Sequence, residues 1–420
     1  MGISDELQSF DPDSLDYCGD MMFGEWAPDA TKAGTGGWQE PNPTPQKANC
    51  VDGVSICLTF VSAETAAQDV LAVPALARAL RAVHRAGWTR CTVCVPAPFH
   101  PSARLADEIA RLAPGLQPDF RAEVPDPADA LIVVGERLPS PDDLAEAARG
   151  FALGCLSGHR GGALGEAGAP SLAATHDLLR QASREVLRQT AKPGDGIVTR
   201  YLNRPISQLL TRWLLGVAGP VSPNVATAGT ALIAAAMVAC LICYPGNSGL
   251  VLGALLFQTA SVFDGVDGEV ARATFRSTRF GASLDSLVDA ATNALFFIGV
   301  IVNLLRQGDH TAAATALAAL GGLVFGTVLL GRTARRDRGV IDFNAVKQLV
   351  AADESPVFRV LTWLTMRDFY ALAAAVLIGL GWVDLAVWAF AVVVAGWLLA
   401  VCLTLAVKRG ARPYSKVVSP

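Results

Sequence analysis

Ingredients of several familiar activities are missing from this 420-residue chain. No stretch of arginine and lysine is interleaved with aromatics, so nothing marks a nucleic-acid surface, and the formal net charge of −4 identifies no partner. No GxxxxGK[ST] occurs to cradle phosphates. The start has no basic segment followed by an apolar core, so it does not read as a secretory signal. Nine cysteines are scattered and form no framework. Cys91 and Cys94 make a CxxC, but residues 89–95 read as a strand, on which residues three apart face opposite ways. Cys240, Cys243 and Cys402 fall in apolar runs as small fillers, and this usage suits a reducing cytoplasm. His159 has no partner at ligand spacing.

What the chain has is apolar bulk, unevenly spread. Hydrophobic residues make up 52% and mean hydropathy is +0.38. Residues 1–50 are rich in Asp, Gly, Pro and Thr without periodicity and read as a disordered tail. Over 51–190, strand runs at 54–61, 90–95 and 130–134 alternate with helical stretches at 75–85, 104–112 and 141–148, the pattern of a parallel α/β sheet. The fragment from Leu71 to Leu80, with the strand after it, resembles a sugar-nucleotide nucleotidyltransferase core. That resemblance implies a glycine-rich loop with a basic residue after the first strand, and a metal-binding Asp after a later one. Residues 62–69 have neither glycine, lysine nor arginine, and the later strand runs into Gly135-Glu136. The domain therefore reads as degenerate, with Glu136 the remaining metal candidate. The glycine-rich stretch 158–168 reads as a surface excursion.

Residues 195–217 place Ile206, Leu209, Leu210, Trp213 and Leu214 at helical spacing beside Arg200, Arg204 and Arg212, predicting an interfacial amphipathic helix with its basic residues toward lipid phosphates. The same helix resembles the juxtamembrane helix of nucleotidyltransferase-fused members of the family named below. Six apolar segments follow, at 224–243, 246–264, 285–305, 311–331, 367–383 and 385–407, within a membrane domain of 218–410. Basic residues cluster at 269–279, 332–347 and after Lys408, which predicts a multi-pass protein of the cytoplasmic (inner) membrane with both termini on the cytoplasmic side.

Carboxylates stand inside this apolar half. Asp264, Asp267 and Ala271 share one helical stripe, and Asp285 and Asp289 lie one turn apart on the next predicted helix. Each costs about 2.5–3.5 kcal/mol near a bilayer centre, so four kept together point to a use. Facing helices would gather four negative charges into one cleft, where divalent cations such as Mg²⁺ or Mn²⁺ are the natural remedy for an all-oxygen set. Gly268 and Ala271 leave room on the same face, and Arg272 offers a planar fork for phosphate. Together these groups describe phosphoryl transfer by positioning and charge neutralisation.

In order, the residues read D-x2-D-G-x2-A-R-x8-G-x3-D-x3-D, which resembles the signature of the CDP-alcohol phosphotransferase family of integral membrane enzymes. The resemblance implies a six-span helical bundle, here behind an N-terminal cytoplasmic α/β domain, as in the branch fused to a nucleotidyltransferase-like domain. It implies that a substituted phosphate passes from a CDP-alcohol to an acceptor hydroxyl with release of CMP. It carries a metal role to Asp264, Asp267, Asp285 and Asp289, with Asp289 also the general base, and a donor pocket to Gly268, Ala271, Arg272 and Gly281. Asn224, opening the first span after Ser222-Pro223, matches a Pro-Asn of the donor pocket in family members; helix capping explains it equally. Arg332 is the candidate cation for a phosphate-bearing acceptor, with positive-inside topology the competing reason. The fused branch implies a soluble CDP-polyol donor and inositol-phosphate chemistry. A CDP-diacylglycerol donor with a soluble alcohol stays open, as does a cation transporter or scaffold, for which no CMP would be released. Family members commonly form homodimers.

Overall fold

The computed structural model describes residues 54–96, 99–156, 163–164, 172–192, 195–338, 360, 364 and 366–410. The predicted tail at 1–50 lies outside them.

β1 (Ser55–Thr59) leads through a cap at Ser62 into α1 (Ala63–Ala67), a tight hairpin of β2 (Asp69–Val70) and β3 (Val73–Pro74), and α2 (Ala75–Arg85). β4 (Arg90–Cys94), α3 (Ala103–Leu112), β5 (Gln117–Arg121), β6 (Ala130–Val134), α4 (Pro141–Leu156), β7 (Ala163–Leu164) and α5 (Leu172–Gln189) follow. The strands form one parallel sheet in the order β5-β4-β1-β6-β7, with the apolar β1 at its centre. Helical and strand periodicity foretold this layer, except at its edges. β5 is polar and contains Pro118, which an edge strand tolerates because one of its sides needs no partner. β7 pairs from within the glycine-rich stretch read as an excursion. On β4, Cys91 enters the main core while Cys94 meets Cys57 on the other face, as a strand requires.

The β2–β3 turn is unusual. Leu71 and Ala72 are both left-handed, at φ 51° and 62°, where Asn-Gly is the usual pair. Each costs roughly 1–2 kcal/mol there, and both side chains are buried, which offsets the strain.

A π-helical turn, Thr199–Asn203, opens α6 (Arg204–Ala218). The long helices are α7 (Pro223–Cys243), α8 (Asn247–Thr274), α9 (Arg279–Gln307) and α10 (His310–Arg338), then the shorter α11 (Arg367–Gly379) and α12 (Val383–Gly410). Five of them, α7 to α10 and α12, contain a stretch long and apolar enough to cross a membrane, so this is a multi-pass membrane protein. Six such segments were expected. The fifth, at 367–383, is a helix of only 13 residues among those described, or roughly 20 Å. The second and third also differ from expectation: α8 runs ten residues past 264 and α9 starts at Arg279, so the charged motif sits within helices.

α8 is the axis of the bundle. Gly253 of α8 and Gly299 of α9 both leave space for Leu241 of α7, and a Cβ on Gly229 of α7 would meet the Phe263 ring of α8, so small residues let the backbones approach. Below the motif, Phe257 stacks on Phe296 at 4.0 Å between centroids, with Phe297, Tyr370 and Phe390 completing an aromatic floor. Above it, Val266, Val270 and Ala273 of α8 join Leu215 of α6 in the same apolar cluster as the α/β core. The two halves share packing.

Candidate active site

The stripe predicted on α8 and the pair predicted on α9 meet. Asp267 is buried; its Oδ2 accepts from the Thr227 hydroxyl of α7 at 2.6 Å and its Oδ1 from the Gly268 N–H at 2.5 Å. Asp285 lies close enough to Asp264 and Asp267 for their like charges to act on it. One turn further along α9, Asp289 pairs with Arg367 of α11, and the same guanidinium stands 3.4 Å from Asp264. Four carboxylates thus converge from two helices, and a third helix supplies a cation.

Like charges this close repel strongly in a medium less polar than water, and one arginine cannot compensate four of them. Among the described residues, no three carboxylates are drawn into a formed metal cage. The donor set still fits a hard divalent cation, being oxygen only and of high charge. Asn293, one turn beyond Asp289, adds a buried Oδ1 with no hydrogen-bond partner among the described residues.

The small residues have physical work to do. A Cβ on Gly268 would lie 3.0 and 3.1 Å from the terminal nitrogens of Arg272, so glycine lets that guanidinium lie across the helix backbone. Arg272 is held there by Nε donating to the Thr190 carbonyl at 2.9 Å. Ala271 is half-buried beside it. Gly281 sits in the first turn of α9, its N–H donated to the capping Thr278 hydroxyl at 3.0 Å. A Cβ on Gly281 would stand 3.2 Å from the Asn224 Oδ1. Asn224 therefore reaches the motif from the start of α7, while Ser222 makes no side-chain cap. Arg332 is exposed near the end of α10, and among the described residues no contact joins it to the carboxylates.

Several neighbours escaped the sequence reading. Arg367 opens a short apolar helix and reads there as a span-flanking cation. Thr227 lies three residues after Asn224, a spacing that could have revealed it. Lys192, between α5 and α6, brings a further positive charge to bear on Asp264 and Asp285. Glu269, inside the motif, faces away from the cluster. It accepts from Ser207 at 2.6 Å, Thr211 at 2.7 Å and Arg204 at 2.9 Å, all on α6. Arg204 also grips Asp195 at 2.7 and 3.1 Å. Burial lowers the Arg204 pKa, but Asp195 and Glu269 outweigh it and hold the guanidinium above its ordinary value. The expectation that Arg204 faces lipid phosphates is thus corrected: it is buried in this network. Arg200 and Arg212 are exposed, as are Leu209, Trp213 and Val217.

Residues 221–364 match the profile of the CDP-alcohol phosphatidyltransferase family. The "Bifunctional IPC transferase and DIPP synthase" of Aquifex aeolicus is 30% identical over 185 residues, which is 43% of this chain and 40% of that protein. The protein of the same name from Thermococcus kodakarensis is 30% identical over 205 residues, 48% of this chain and 44% of its own length. The "Archaetidylinositol phosphate synthase" of Methanothermobacter thermautotrophicus is 38% identical over 85 residues, 20% of this chain and 41% of that protein. The chain spans less than half the length of each of these three relatives. All four carboxylates, Arg272 and Gly281 fall inside residues 221–364, the stretch that matches this family.

Proposed function

We propose that the chain transfers a substituted phosphate from a CDP-alcohol to an acceptor hydroxyl with release of CMP, and that a polyol phosphate of the inositol type is among its substrates. The observation that carries this reading is the convergence of Asp264, Asp267, Asp285 and Asp289, within the family-matched domain, beside the Arg272 fork. Two relatives whose names include IPC transferase and DIPP synthase support the polyol branch.

In this mechanism the four aspartates would hold a divalent cation, Mg²⁺ or Mn²⁺, which when bound neutralises the donor diphosphate. Gly268, Ala271 and Gly281 leave room for the nucleotide, Asn224 lies against it, and Arg272 takes a phosphate oxygen. Asp289 accepts the proton of the acceptor hydroxyl. That oxygen bonds to the phosphorus carrying the alcohol, and the bond from this phosphorus to the CMP oxygen breaks. Arg367 is placed to bind a phosphate on the acceptor, with Arg332, near the end of α10, as the competing choice.

The exposed apolar stripe of α6 suits the membrane interface. The α/β domain packs against the motif end of α8, so it and the site share one side, which the basic loops make cytoplasmic. A homodimer in lipid completes the reading. The test is CMP release by the purified protein from a panel of CDP-alcohols and acceptors. Release from a CDP-polyol, abolished by chelation and restored by a divalent cation, is expected; no release from any donor would sink the proposal.

A further inference from the structure

α8 ends two residues past Arg272, and a helix end leaves its last carbonyls without partners inside the helix. Here those from Ala271 to Phe275 are all taken. Phe275, left-handed at φ 55°, donates its N–H to the Arg272 carbonyl at 3.4 Å, and Arg276 donates to Ala271 at 2.9 Å. The other three are served by the α/β domain. Arg78 donates to the Ala273 carbonyl at 2.5 Å, and Arg111 to those of Thr274 and Phe275 at 3.1 and 2.9 Å. Cations at a helix C-terminus also complement its dipole.

Both arginines are held in place. Arg78 is buried, and its Nε donates to the Val70 carbonyl at 2.9 Å, at the strained Leu71–Ala72 turn. Arg111 pairs with Glu108 at 2.6 Å, and Glu108 also takes Arg276 at 2.9 Å. Arg81 lies over the Phe275 ring at 3.9 Å, fixing the residue at which the helix breaks. A sheet domain that retains a strained turn and aims two guanidinium groups at one helix end is built to hold that end.

We infer that Arg78 and Arg111 are positioning residues for the membrane-embedded site, and that clamping the last turn of α8 is what the α/β domain contributes to the reaction. Arg272 lies in that turn and Asp267 one turn before it. Freeing the turn would swing the guanidinium off Gly268 and shift Asp267 against Asp285. The kinetic half of this inference rests on the transferase reading above; the structural half stands apart from it.

The test uses the full chain in detergent with Arg78→Met, Arg111→Met, and Arg121→Met as control, Arg121 being an exposed partner of Asp119 on the edge strand of the same sheet. Hydrogen exchange of amides 271–276, without substrate, should quicken by about tenfold or more in the first two and not in the control. CMP release per folded molecule should fall by about tenfold or more in kcat, with the donor KM raised as the displaced Arg272 loses its phosphate contact, and Arg111→Lys should recover part of both. If Arg78→Met does not fold, Arg111→Met decides alone, its side chain being partly exposed. Unchanged exchange in α8 would overturn the clamp, whatever the activity of the parent chain. Quickened exchange with kcat unchanged would overturn the positioning role. A parent chain that releases no CMP while the exchange effect appears would keep the clamp and remove its link to transfer.

Discussion

Asp289 stands at the far end of the carboxylate row and, with Asp264, is paired with Arg367. Asp289→Asn keeps the shape and one oxygen but cannot take a proton at that position, so turnover should fall by about a hundredfold or more. Asp264→Asn should weaken metal dependence more than Asp289→Asn does; equal turnover in parent and Asp289→Asn would remove the base. The acceptor cation is a second question at this scale. Arg367→Ala should raise the acceptor KM without moving that of the donor, whereas Arg332→Ala should leave both unchanged, because Arg332 is exposed away from the carboxylates. The reverse pattern would restore the sequence-based choice of Arg332. Gly281 entered only through the family resemblance, whereas the aspartate pairs, Gly268 and Arg272 could be read as neighbours from spacing because residues on one helix meet at fixed intervals. Arg367 could not, since it reaches the cluster only through the packing of α11 on α8, and nothing in a linear pattern records which helices become neighbours.

α6 and α8 are joined by a polar network in a setting that disfavours one. Glu269 is fully buried and holds Arg204, Ser207 and Thr211 at once. Removing one partner of such a pair leaves the other charge uncompensated, at a cost of about 3–5 kcal/mol. Arg204→Met should therefore lower the thermal midpoint of the detergent-solubilised protein sharply, because it strands both Glu269 and Asp195. Arg204→Met with Glu269→Met should recover part of that loss, because the fully buried carboxylate goes with its partner while Asp195 keeps an edge toward solvent. A double variant no more stable than Arg204→Met would show that the network does not act as a pair. The amphipathic spacing at 206–214 foretold the helix but not this inward face. Periodicity locates an apolar stripe, and here the stripe faces outward while the polar residues are buried against α8, inverting the rule used for soluble proteins. The same limit hid the true end of α8: apolar runs stop at charges, whereas the helix continues through them because Thr227, Arg367 and the α6 residues satisfy them.

At the scale of the molecule, docking of the two halves should respond to acid. Burial raises the Glu108 pKa, but Arg111 and Arg276 outweigh it and hold the carboxyl below its usual range. A depressed carboxyl contributes stability above its unfolded pKa and loses it as pH falls through the folded value. Energy transfer between labels on α3 and α10 should thus drop on acidification in the parent chain and be low at every pH in Glu108→Gln; a pH response surviving in that variant would assign it elsewhere. The parallel sheet was legible because strand and helix periods alternate cleanly, and the same sheet bears on whether the domain can carry out cytidylyl transfer. In open α/β sheets, ligands bind beyond the carboxyl ends of the strands where the strand order reverses, here between β1 and β6. Protein side chains occupy part of that place, although the Glu136 Oε2 is buried with no hydrogen-bond partner among the described residues. Glu136 is fully buried, accepting from the Val61 N–H at 2.7 Å and the Thr65 hydroxyl at 3.0 Å, while the Phe60 ring lies where a side chain on Gly135 would go. Glu136, the one metal candidate left by the sequence, is thus tied to the loop after β1, and residues 62–69 supply no cation for a triphosphate. Cytidylyl transfer needs both charge neutralisation and a bridging metal. The full chain should therefore release no pyrophosphate from CTP with inositol phosphate or other polyol phosphates, with Mg²⁺ or Mn²⁺ present, under conditions where it releases CMP from a supplied CDP-polyol. Metal-dependent pyrophosphate release that survives Asp289→Asn would place a working cytidylyltransferase in the α/β domain and make the chain bifunctional.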